Sequence, residues 1–354
     1  MPKMDDIQKT AKINSLQAEL TELIAAVRTE TDAKRKRKMI EKIGEYNRKI
    51  DKMKSGRILS RETKRDLVAY SFIAPNFIGF CVFTLVPIVF AFALAFLRWD
   101  GSNPIEWAGF SNFARLGDDT FFRAALINTI IYCIGTVPLT MIASLALAIV
   151  LNQKVIGRGV FRTLSFFPYV ASLVAITSVW KMLFHPSKGP VNNILYNVFK
   201  VPQEELPQWF TGSLVLFSMI LFSVWKFMGY YMVIYLAGLQ GISAELYEAA
   251  SLDGANTWEK FRYVTWPQLS STTFFVVVML TINCFKVYDV AIMLAGGGSG
   301  ELTTSATVLV YYIYQKAFID WDLGYSSAVA MVLFAMVLFV TIIQFRGQAK
   351  KERA

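Results

Sequence analysis

A polar interval separates two strongly apolar segments in the second half of the chain and reads Glu245-Leu-Tyr-Glu-Ala-Ala-Ser-Leu-Asp-Gly-Ala-Asn-Thr-Trp-Glu-Lys-Phe-Arg-Tyr-Val-Thr-Trp-Pro267. It carries too many charges to lie within a bilayer. Ser243 is a favourable N-cap for a helix with Glu245 in its first turn, and Gly254 is a natural stop. Asn256 followed three residues later by Glu259 predicts a second helix start through a capping box. The sequence therefore predicts a helix, a glycine turn and a second helix, held at a membrane surface.

Most of the remaining chain is too apolar for a water-soluble protein. Hydrophobic residues make up 55% of the 354 positions, and the mean hydropathy is +0.42. This composition indicates a polytopic membrane protein. The lone His185 and the three cysteines offer no metal cluster and no disulfide framework, so we predict packing roles for Cys81, Cys133 and Cys284 and no metal site.

Six apolar stretches are about long enough to cross a bilayer as helices. They lie at 67–97, 124–151, 160–184, 212–240, 271–295 and 325–345. Pro75, Pro87, Pro138 and Pro168 fall within these stretches, so we expect kinks or breaks there. The predicted fold class is an all-α polytopic membrane protein with six transmembrane helices in a permease-sized domain at 67–345.

The distribution of charge predicts the orientation of these helices. Lys and Arg concentrate in the amino-terminal segment, in the short loop 152–159 and in the tail 346–354. Three other loops carry six Lys or Arg residues in total, and each has at least as many acidic residues as basic ones, namely 98–123, 185–211 and 296–324. Cytoplasmic loops carry the excess of positive charge, so both termini and the loop 241–270 are predicted to be cytoplasmic.

A basic segment, residues 1–66, precedes the first apolar stretch and carries +7 of the net charge of +10. Apolar residues at helical spacing between positions 16 and 27, and again between 43 and 53, predict two helices. The run Lys34-Arg-Lys-Arg-Lys38 is expected to interrupt them. We interpret the segment as a solvated cytoplasmic extension near anionic lipid, with docking to a partner protein as the alternative. Nucleic-acid binding is disfavoured because the run lacks interleaved aromatic residues.

Several polar side chains fall inside or beside the fourth and fifth apolar stretches, where a charge should face a bundle interior or an aqueous cavity. Two interpretations remain open. Lys286 and Asp289, three residues apart on one helical face, could form a local ion pair; alternatively, the polar groups line a path for a hydroxylated solute. The candidate path residues are Lys226, Tyr230, Tyr231, Tyr235, Asn283, Lys286, Tyr288 and Asp289. The glycines of Gly296-Gly-Gly-Ser299 would let the backbone form a loop beside this path.

The polar interval resembles the EAA loop of ABC-importer permeases, in which Glu-Ala-Ala is followed by three residues, Gly, nine residues, an aliphatic residue, one residue and Leu-Pro. This spacing is kept, with Trp266 in place of Leu, by Glu248, Ala249, Ala250, Gly254, Val264 and Pro267. Beyond the loop, the chain looks like the carbohydrate branch of these importers, of the first maltose-transporter permease type, over about 67–345. The segments that carry this wider resemblance include Trp225-Lys-Phe-Met-Gly-Tyr-Tyr-Met, Asn283-Cys-Phe-Lys-Val-Tyr-Asp289 and Gly324-Tyr-Ser-Ser-Ala328. Ser299 stands where the family usually has Pro.

The resemblance implies an obligate complex in a bacterial cytoplasmic membrane. Its partners would be a second permease subunit, two ATPase subunits, an extracytoplasmic solute-binding protein and a sugar substrate. The chain has no Walker A pattern, so ATP and Mg²⁺ would bind the ATPase partner, and this chain would have no catalytic residue and would not itself be an enzyme. In the family, the helix that begins at Ser243 sits in a groove of the ATPase. The implied ATPase-coupling residues are Leu246, Tyr247, Glu248, Ala249, Ala250, Leu252 and Gly254.

The expected function is therefore the import of a sugar or oligosaccharide. One alternative keeps the machinery but imports glycerol 3-phosphate or a related polyol phosphate, whose anion Lys226 and Lys286 could counter. A second alternative is a secondary transporter that uses Lys286 and Asp289 for proton coupling. The EAA spacing and the absence of a detectable internal repeat disfavour the second alternative.

Overall fold

The protein is mostly helical in a computed structural model that describes residues 4–30, 32–55, 61–153, 156–296 and 304–353. Within this described part, four helices are long and apolar enough to cross a membrane, and two bent helix pairs raise the number to six if each pair counts as one span. The prediction of a polytopic helical membrane protein is confirmed at this level.

Two units make up the chain, residues 1–88 and 89–354. The first unit contains α1 (Met4–Thr29), α2 (Ala33–Ser55) and α3 (Arg61–Phe80), followed by a π-helical turn at Cys81–Leu85. Helices α1 and α2 pack against each other. Because the Asp32 carboxylate accepts hydrogen bonds from the backbone N–H groups of Lys34 (2.8 Å) and Arg35 (3.3 Å), α2 begins ahead of the basic run. The predicted pair of helices is present, but the basic run does not separate them: it forms the first turns of α2, after the interruption.

The sequence continues through α4 (Val86–Leu94) into the second unit, which has one short antiparallel strand pair and otherwise consists of helices and turns in its described part. Its elements are β1 (Leu97–Arg98), β2 (Glu106–Trp107), α5 (Ser111–Asp118), α6 (Thr120–Asn152), α7 (Arg158–Val170), α8 (Leu173–Leu183), α9 (Pro190–Asn197), α10 (Val215–Gln240), α11 (Ala244–Leu252), α12 (Thr257–Lys260), α13 (Trp266–Gln268), α14 (Ser270–Phe285), α15 (Asp289–Ala295), α16 (Leu309–Tyr314) and α17 (Leu323–Arg353).

Helix α10 lies at the centre of the second unit and packs against α6, α7, α14 and α15. It approaches α7 so closely at Gly229 that a Cβ atom there would lie 1.8 Å from the carbonyl oxygen of Ser165. A polar pair also joins two of these helices: the Tyr132 hydroxyl of α6 donates to the Ser223 Oγ of α10 over 2.7 Å. This matters because a buried polar group without a partner is costly where water is absent.

The third apolar stretch is broken rather than straight. Helices α7 and α8 are bent by 99° at a short break after Val170. Pro168 lies two residues before that end and has no backbone N–H to donate, and the helix does not continue past this region. The predicted break in this stretch is therefore present.

The fifth stretch differs from the prediction, which placed one helix over 271–295. Helix α14 ends at Phe285, and α15 begins only at Asp289, because Tyr288 adopts a non-helical backbone conformation at φ −144°, ψ −61°. Lys286 and Asp289 consequently do not share one helical face, and the described residues show no ion pair between them. At its other end, α14 meets α13 at a 67° bend, so the second helix of the polar interval runs into this span.

Candidate functional site

The helix α11 of the EAA-like loop is defined at both ends by its own sequence. Ser243 caps its start by accepting a hydrogen bond from the Glu245 N–H over 3.3 Å. At its end, Ala255 N–H donates to the Ala250 carbonyl (2.9 Å) and Gly254 N–H donates to Ser251 (3.1 Å). These two bonds form a Schellman motif, which requires a left-handed residue, and Gly254 provides it at φ 81°. The predicted cap, helix and glycine turn are all present.

The surface of α11 is largely uncovered by this chain, since the helix has no buried residue. Leu252 is 90% exposed and Leu246 is 41% exposed, although both are apolar. Glu248 and Ala249 are exposed beside them, whereas Ala250 and Tyr247 are half-buried. Tyr247 ties the helix to the chain through a 2.9 Å hydrogen bond between its hydroxyl and Thr265 Oγ1. Acidic and apolar side chains of α11 are thus exposed, and the Tyr247 hydrogen bond joins the helix to the rest of the chain.

The second helix of the loop rests on the carboxyl-terminal half of α6. The predicted capping box is present: Asn256 Oδ1 accepts from the Glu259 N–H (3.0 Å), and a Glu259 carboxylate oxygen accepts from the Asn256 N–H (2.7 Å). Trp258 and Phe261 stack at 5.5 Å and, with residues of α6 such as Leu145, line an apolar groove of about 360 Å³. This arrangement links the exposed α11 to a membrane-spanning helix.

Lys226, the first predicted path residue, is buried and 9% exposed, and it contacts α7 rather than α14. Its ammonium group donates to the carbonyl oxygens of Pro168 (3.4 Å) and Tyr169 (3.3 Å). These carbonyls belong to the last turn of α7, where backbone acceptors have no intrahelical donor. A cation at the carboxyl end of a helix is favourable, so Lys226 caps α7 next to its break.

Beside Lys226, three tyrosine side chains and one asparagine side chain contact one another in series. Tyr230 stacks on Tyr169 with ring centroids 4.4 Å apart, and Tyr231 follows at 5.0 Å from Tyr230. The Tyr231 hydroxyl accepts a 3.2 Å hydrogen bond from Asn283 Nδ2 of α14. Tyr235 lies in the apolar core with its hydroxyl buried. Four of the predicted path residues are therefore joined to one another or to Tyr169: Lys226, Tyr230, Tyr231 and Asn283.

The remaining path residues lie around the break between α14 and α15. Tyr288 is half-buried and stacks on Tyr311 of α16 at 6.4 Å, while Lys286 and Asp289 are exposed. Sequence reasoning missed Tyr169 and Tyr311 as partners of predicted residues. Tyr169 carries a detectable signal, because it directly follows the helix-breaking Pro168; no signal in the sequence pairs Tyr311 with Tyr288. Glycines 297 and 298 and Ser299 of the predicted loop lie outside the described residues.

At the amino-terminal end of α6, a polar cluster joins three helices. Asp119 caps α6 by accepting from Phe121 N–H and Phe122 N–H, and it also accepts hydrogen bonds from the hydroxyls of Tyr312 and Tyr325. Burial favours the neutral form of Asp119, but the hydrogen bonds from the two tyrosines and the backbone outweigh it, so the pKa of this carboxyl is lowered from its ordinary value.

Next to this cluster lies an open cleft of about 600 Å³. Arg115 and Asp322 form a 2.9 Å ion pair at its edge, and Trp99 and Trp321 are among its lining residues. Helix α6 has 33 residues and is therefore about 50 Å long, at a rise of about 1.5 Å per residue. The cleft lies near its amino-terminal end, and the groove beside Trp258 lies along its carboxyl-terminal half. The two ends of α6 therefore carry two different surfaces.

These features agree with a comparison against known protein families. The model of the family described as binding-protein-dependent transport system inner membrane component matches residues 122–348, which is well over half of the chain. The chain belongs to this family. The permease is thus a multi-pass component of the inner membrane, and the related subunits are transport components rather than enzymes.

Curated relatives cover most of the permease. The arabinooligosaccharides transport system permease protein AraP of Bacillus subtilis is 33% identical over 280 residues, which are 78% of this chain and 87% of that protein. The lactose transport system permease protein LacF of Rhizobium radiobacter is 33% identical over 291 residues, covering 81% and 95% of the two chains. The resemblance to sugar-importer permeases inferred from the sequence is confirmed by these relatives.

A solved structure has the same fold. A chain in the crystal structure of the bacterial alginate ABC transporter, in complex with alginate pentasaccharide-bound periplasmic protein, matches with a TM-score of 0.69 and 23% sequence identity. The match covers 80% of the permease and 94% of that chain.

Proposed function

We propose that this permease forms part of an ABC importer that moves a sugar or oligosaccharide into the cell, driven by ATP hydrolysis on a separate subunit. The observation that carries the proposal is α11: a helix preorganised by its own caps, in EAA register, with exposed side chains at Leu246, Glu248 and Leu252 that this chain does not cover. The relatives AraP and LacF, whose names specify arabinooligosaccharides and lactose, support a saccharide as the cargo.

Coupling would proceed through contacts of α11 with the ATPase. Leu246 and Leu252 would bury apolar surface there, Glu248 would accept hydrogen bonds, and the small Ala249 and Ala250 would allow close approach. A force on α11 would reach the membrane through the Tyr247–Thr265 hydrogen bond and the packing of Phe261 against the core that includes Leu145 of α6. Gly254 would keep the two helices of the loop at a fixed angle.

The path for the solute would use side chains that bind hydroxyl groups and pack against sugar rings. The tyrosines at 169, 230 and 231 provide aromatic faces next to the amide of Asn283. Lys286 and Asp289, exposed on this chain and unpaired with each other, would face an aqueous cavity shared with a second permease subunit. Tyr235 would support the path from the apolar core.

Neither alternative function has comparable support. Import of a polyol phosphate would need cations available to the anion, and Lys226 already donates to two backbone carbonyls. A proton-coupled secondary transporter would gain from a Lys286–Asp289 pair, and the helix break separates these residues.

The assembly would contain a second permease subunit, two ATPase subunits that bind ATP and Mg²⁺, and an external solute-binding protein. With a cytoplasmic amino terminus, the four predicted spans that precede α11 would bring it to the ATPase side. The cleft beside Trp99 and Trp321 then opens on the opposite side, where a binding protein would deliver the solute.

The test is ATP-driven uptake by the complete complex in proteoliposomes, with labelled oligosaccharides and glycerol 3-phosphate as candidate solutes. Glu248→Gln should lower saccharide uptake by about tenfold or more, in the range of a hot-spot loss, while leaving the protein in the membrane. The matched control is Glu245→Gln, which removes the same charge from the first turn of the same helix and should retain uptake. Full uptake by Glu248→Gln, or uptake without the ATPase, would contradict coupling; indifference to every sugar would contradict the cargo.

A further inference from the structure

Helix α2 of the first unit carries a strong positive charge. It contains ten lysines and arginines against three acidic residues, whereas α1 has three basic and four acidic residues. The five consecutive cations at 34–38 are all exposed. In the hairpin of α1 and α2, the net positive charge is therefore on α2.

The position of the basic run opposes the stability of its own helix. A helix amino terminus carries a partial positive charge, which favours acidic residues in the first turn. The first turn of α2 has none, and its cations occupy that turn and the next. Asp32 alone provides compensation, through its cap. A sequence that breaks a local rule in this way often does so for binding, and here the missing counterpart is an anion.

Packing turns many of these cations outward. Ile43, Tyr46 and Ile50 are the less exposed side chains of α2 and mark the side toward α1. The opposite stripe of the helix carries Lys34, Arg37, Lys38, Glu41, Glu45, Arg48 and Lys49 at helical spacing. Glu45 pairs with Lys49 at 3.2 Å, so the stripe remains net positive.

An apolar residue accompanies the charges. Ile40 is 54% exposed, two positions after the end of the basic run. Cations beside an exposed aliphatic side chain are typical of helices that lie on a phospholipid surface, where the charges meet the head groups and the apolar side chain enters the interface.

The chain also keeps α2 near a membrane. Only five residues separate Ser55 from Arg61, where the helix α3 that leads into the first candidate span begins. A linker of this length reaches at most about 20 Å. Helix α2 is about 35 Å long, so it can lie along the bilayer surface.

We propose that the basic face of α2 binds anionic phospholipid head groups on the membrane that anchors the chain. Charge complementarity, the exposed Ile40 and the short tether favour a lipid surface over a protein or a nucleic acid. Neither of these alternatives would account for the proximity to a span. The inference does not depend on the proposed cargo or on ATP coupling.

Hydrogen exchange of the full-length chain in lipid nanodiscs tests the proposal. Amides of α2 over 33–45 should exchange about tenfold more slowly in discs with about one-third phosphatidylglycerol than in phosphatidylcholine discs, because each surface-bound cation adds attraction. The slowing should disappear at about 0.5 M salt, where electrostatic screening is strong. Peptides over 198–206 serve as the internal reference and should exchange equally in both lipids.

Two variants separate lipid from other partners. The change K34Q/R35Q/K36Q/R37Q/K38Q should abolish the lipid dependence while α2 stays helical in neutral discs. The matched control K34R/R35K/K36R/R37K/K38R keeps every charge and should keep the protection, since a lipid surface does not require the planar geometry of arginine as a specific protein or nucleic-acid site does. Equal exchange in the two lipids, or protection that arises only when the ATPase subunits or RNA are added, would overturn the proposal.

Discussion

The loop 241–270 and the polar residues around Lys226 are both polar regions of an apolar protein, but they are held in place in opposite ways. In the loop, each stabilising contact at the ends of α11 and α12 joins residues two to five positions apart, as at Ser243, Gly254 and Asn256. Lys226 instead contacts carbonyls 57 and 58 residues away, and Tyr231 meets Asn283 over 52 residues.

This difference in range corresponds to a difference in exposure. The loop is stable enough to remain exposed without tertiary packing on most of its surface, which suits a helix that docks on another protein. Lys226 and Tyr231 are buried, although Tyr169 and Asn283 beside them are exposed, and these groups belong to the three helices α7, α10 and α14. We therefore expect substitutions in the buried region to act mainly on stability, and substitutions in the loop to act mainly on coupling.

Gly229→Ala should have the largest effect on stability. A Cβ atom at this position would lie 1.8 Å from the carbonyl oxygen of Ser165, so α10 and α7 would have to separate. Overpacking of this kind costs about 3 kcal/mol. Thermal unfolding of the purified protein in detergent measures the loss. An unchanged melting temperature would show that α7 and α10 do not pack as closely as described.

Lys226→Met should follow, with a loss of about 2 kcal/mol, because a buried and a partly buried carbonyl at the end of α7 lose their donor. Lys226→Arg, which keeps a cationic donor, is the control and should be milder. The measurement combines thermal unfolding with uptake kinetics. If Lys226→Met raised the KM for the saccharide and left stability unchanged, Lys226 would belong to the solute path and not to the cap.

Gly254→Ala provides the counterpart of Gly229→Ala in the loop. The added methyl group would meet open space, but φ 81° is a left-handed conformation that costs a non-glycine residue about 1 kcal/mol. The expected result is a small change in global unfolding and a clear drop in uptake per ATP hydrolysed. The measurement records the rates of solute uptake and of ATP hydrolysis in the same proteoliposomes. A loss of stability as large as that of Gly229→Ala would contradict the difference between the loop and the Lys226 region.

Asn256→Ala should have the smallest effect on global stability. It removes one side of the capping box and costs the second loop helix about 1 kcal/mol locally. Amide exchange over 256–261 should become faster, while the melting temperature of the protein stays the same. Slower exchange, or global destabilisation, would mean that the cap supports more than its own helix.

The same difference in range explains what the sequence can predict. The Ser243 cap, the Gly254 turn and the Asn256–Glu259 box follow from residues a few positions apart, so they are predictable. The break at Tyr288 and the contact of Lys226 with α7 depend on tertiary packing, which overrides the apolar continuity of 271–295 and leaves no local signal. The basic run 34–38 shows that a local signal can also mislead. Its charges disfavour a helix start, yet α2 begins there, with the Asp32 cap and packing against α1.

Cross-linking from α11 tests the central claim most directly, namely that this exposed helix is the contact with the ATPase. The background is a transport-competent variant in which the three native cysteines are replaced by Ala. One cysteine is then introduced at a time, either as Leu252→Cys in α11 or as Ile105→Cys at the other end of the second unit. Both parent side chains are exposed, Leu252 at 90% and Ile105 at 52%. With a short bifunctional thiol reagent and a cysteine in the ATPase groove, we predict a cross-link from position 252 and none from 105. Absence of a cross-link from 252 in a complex that still imports its solute would contradict the account.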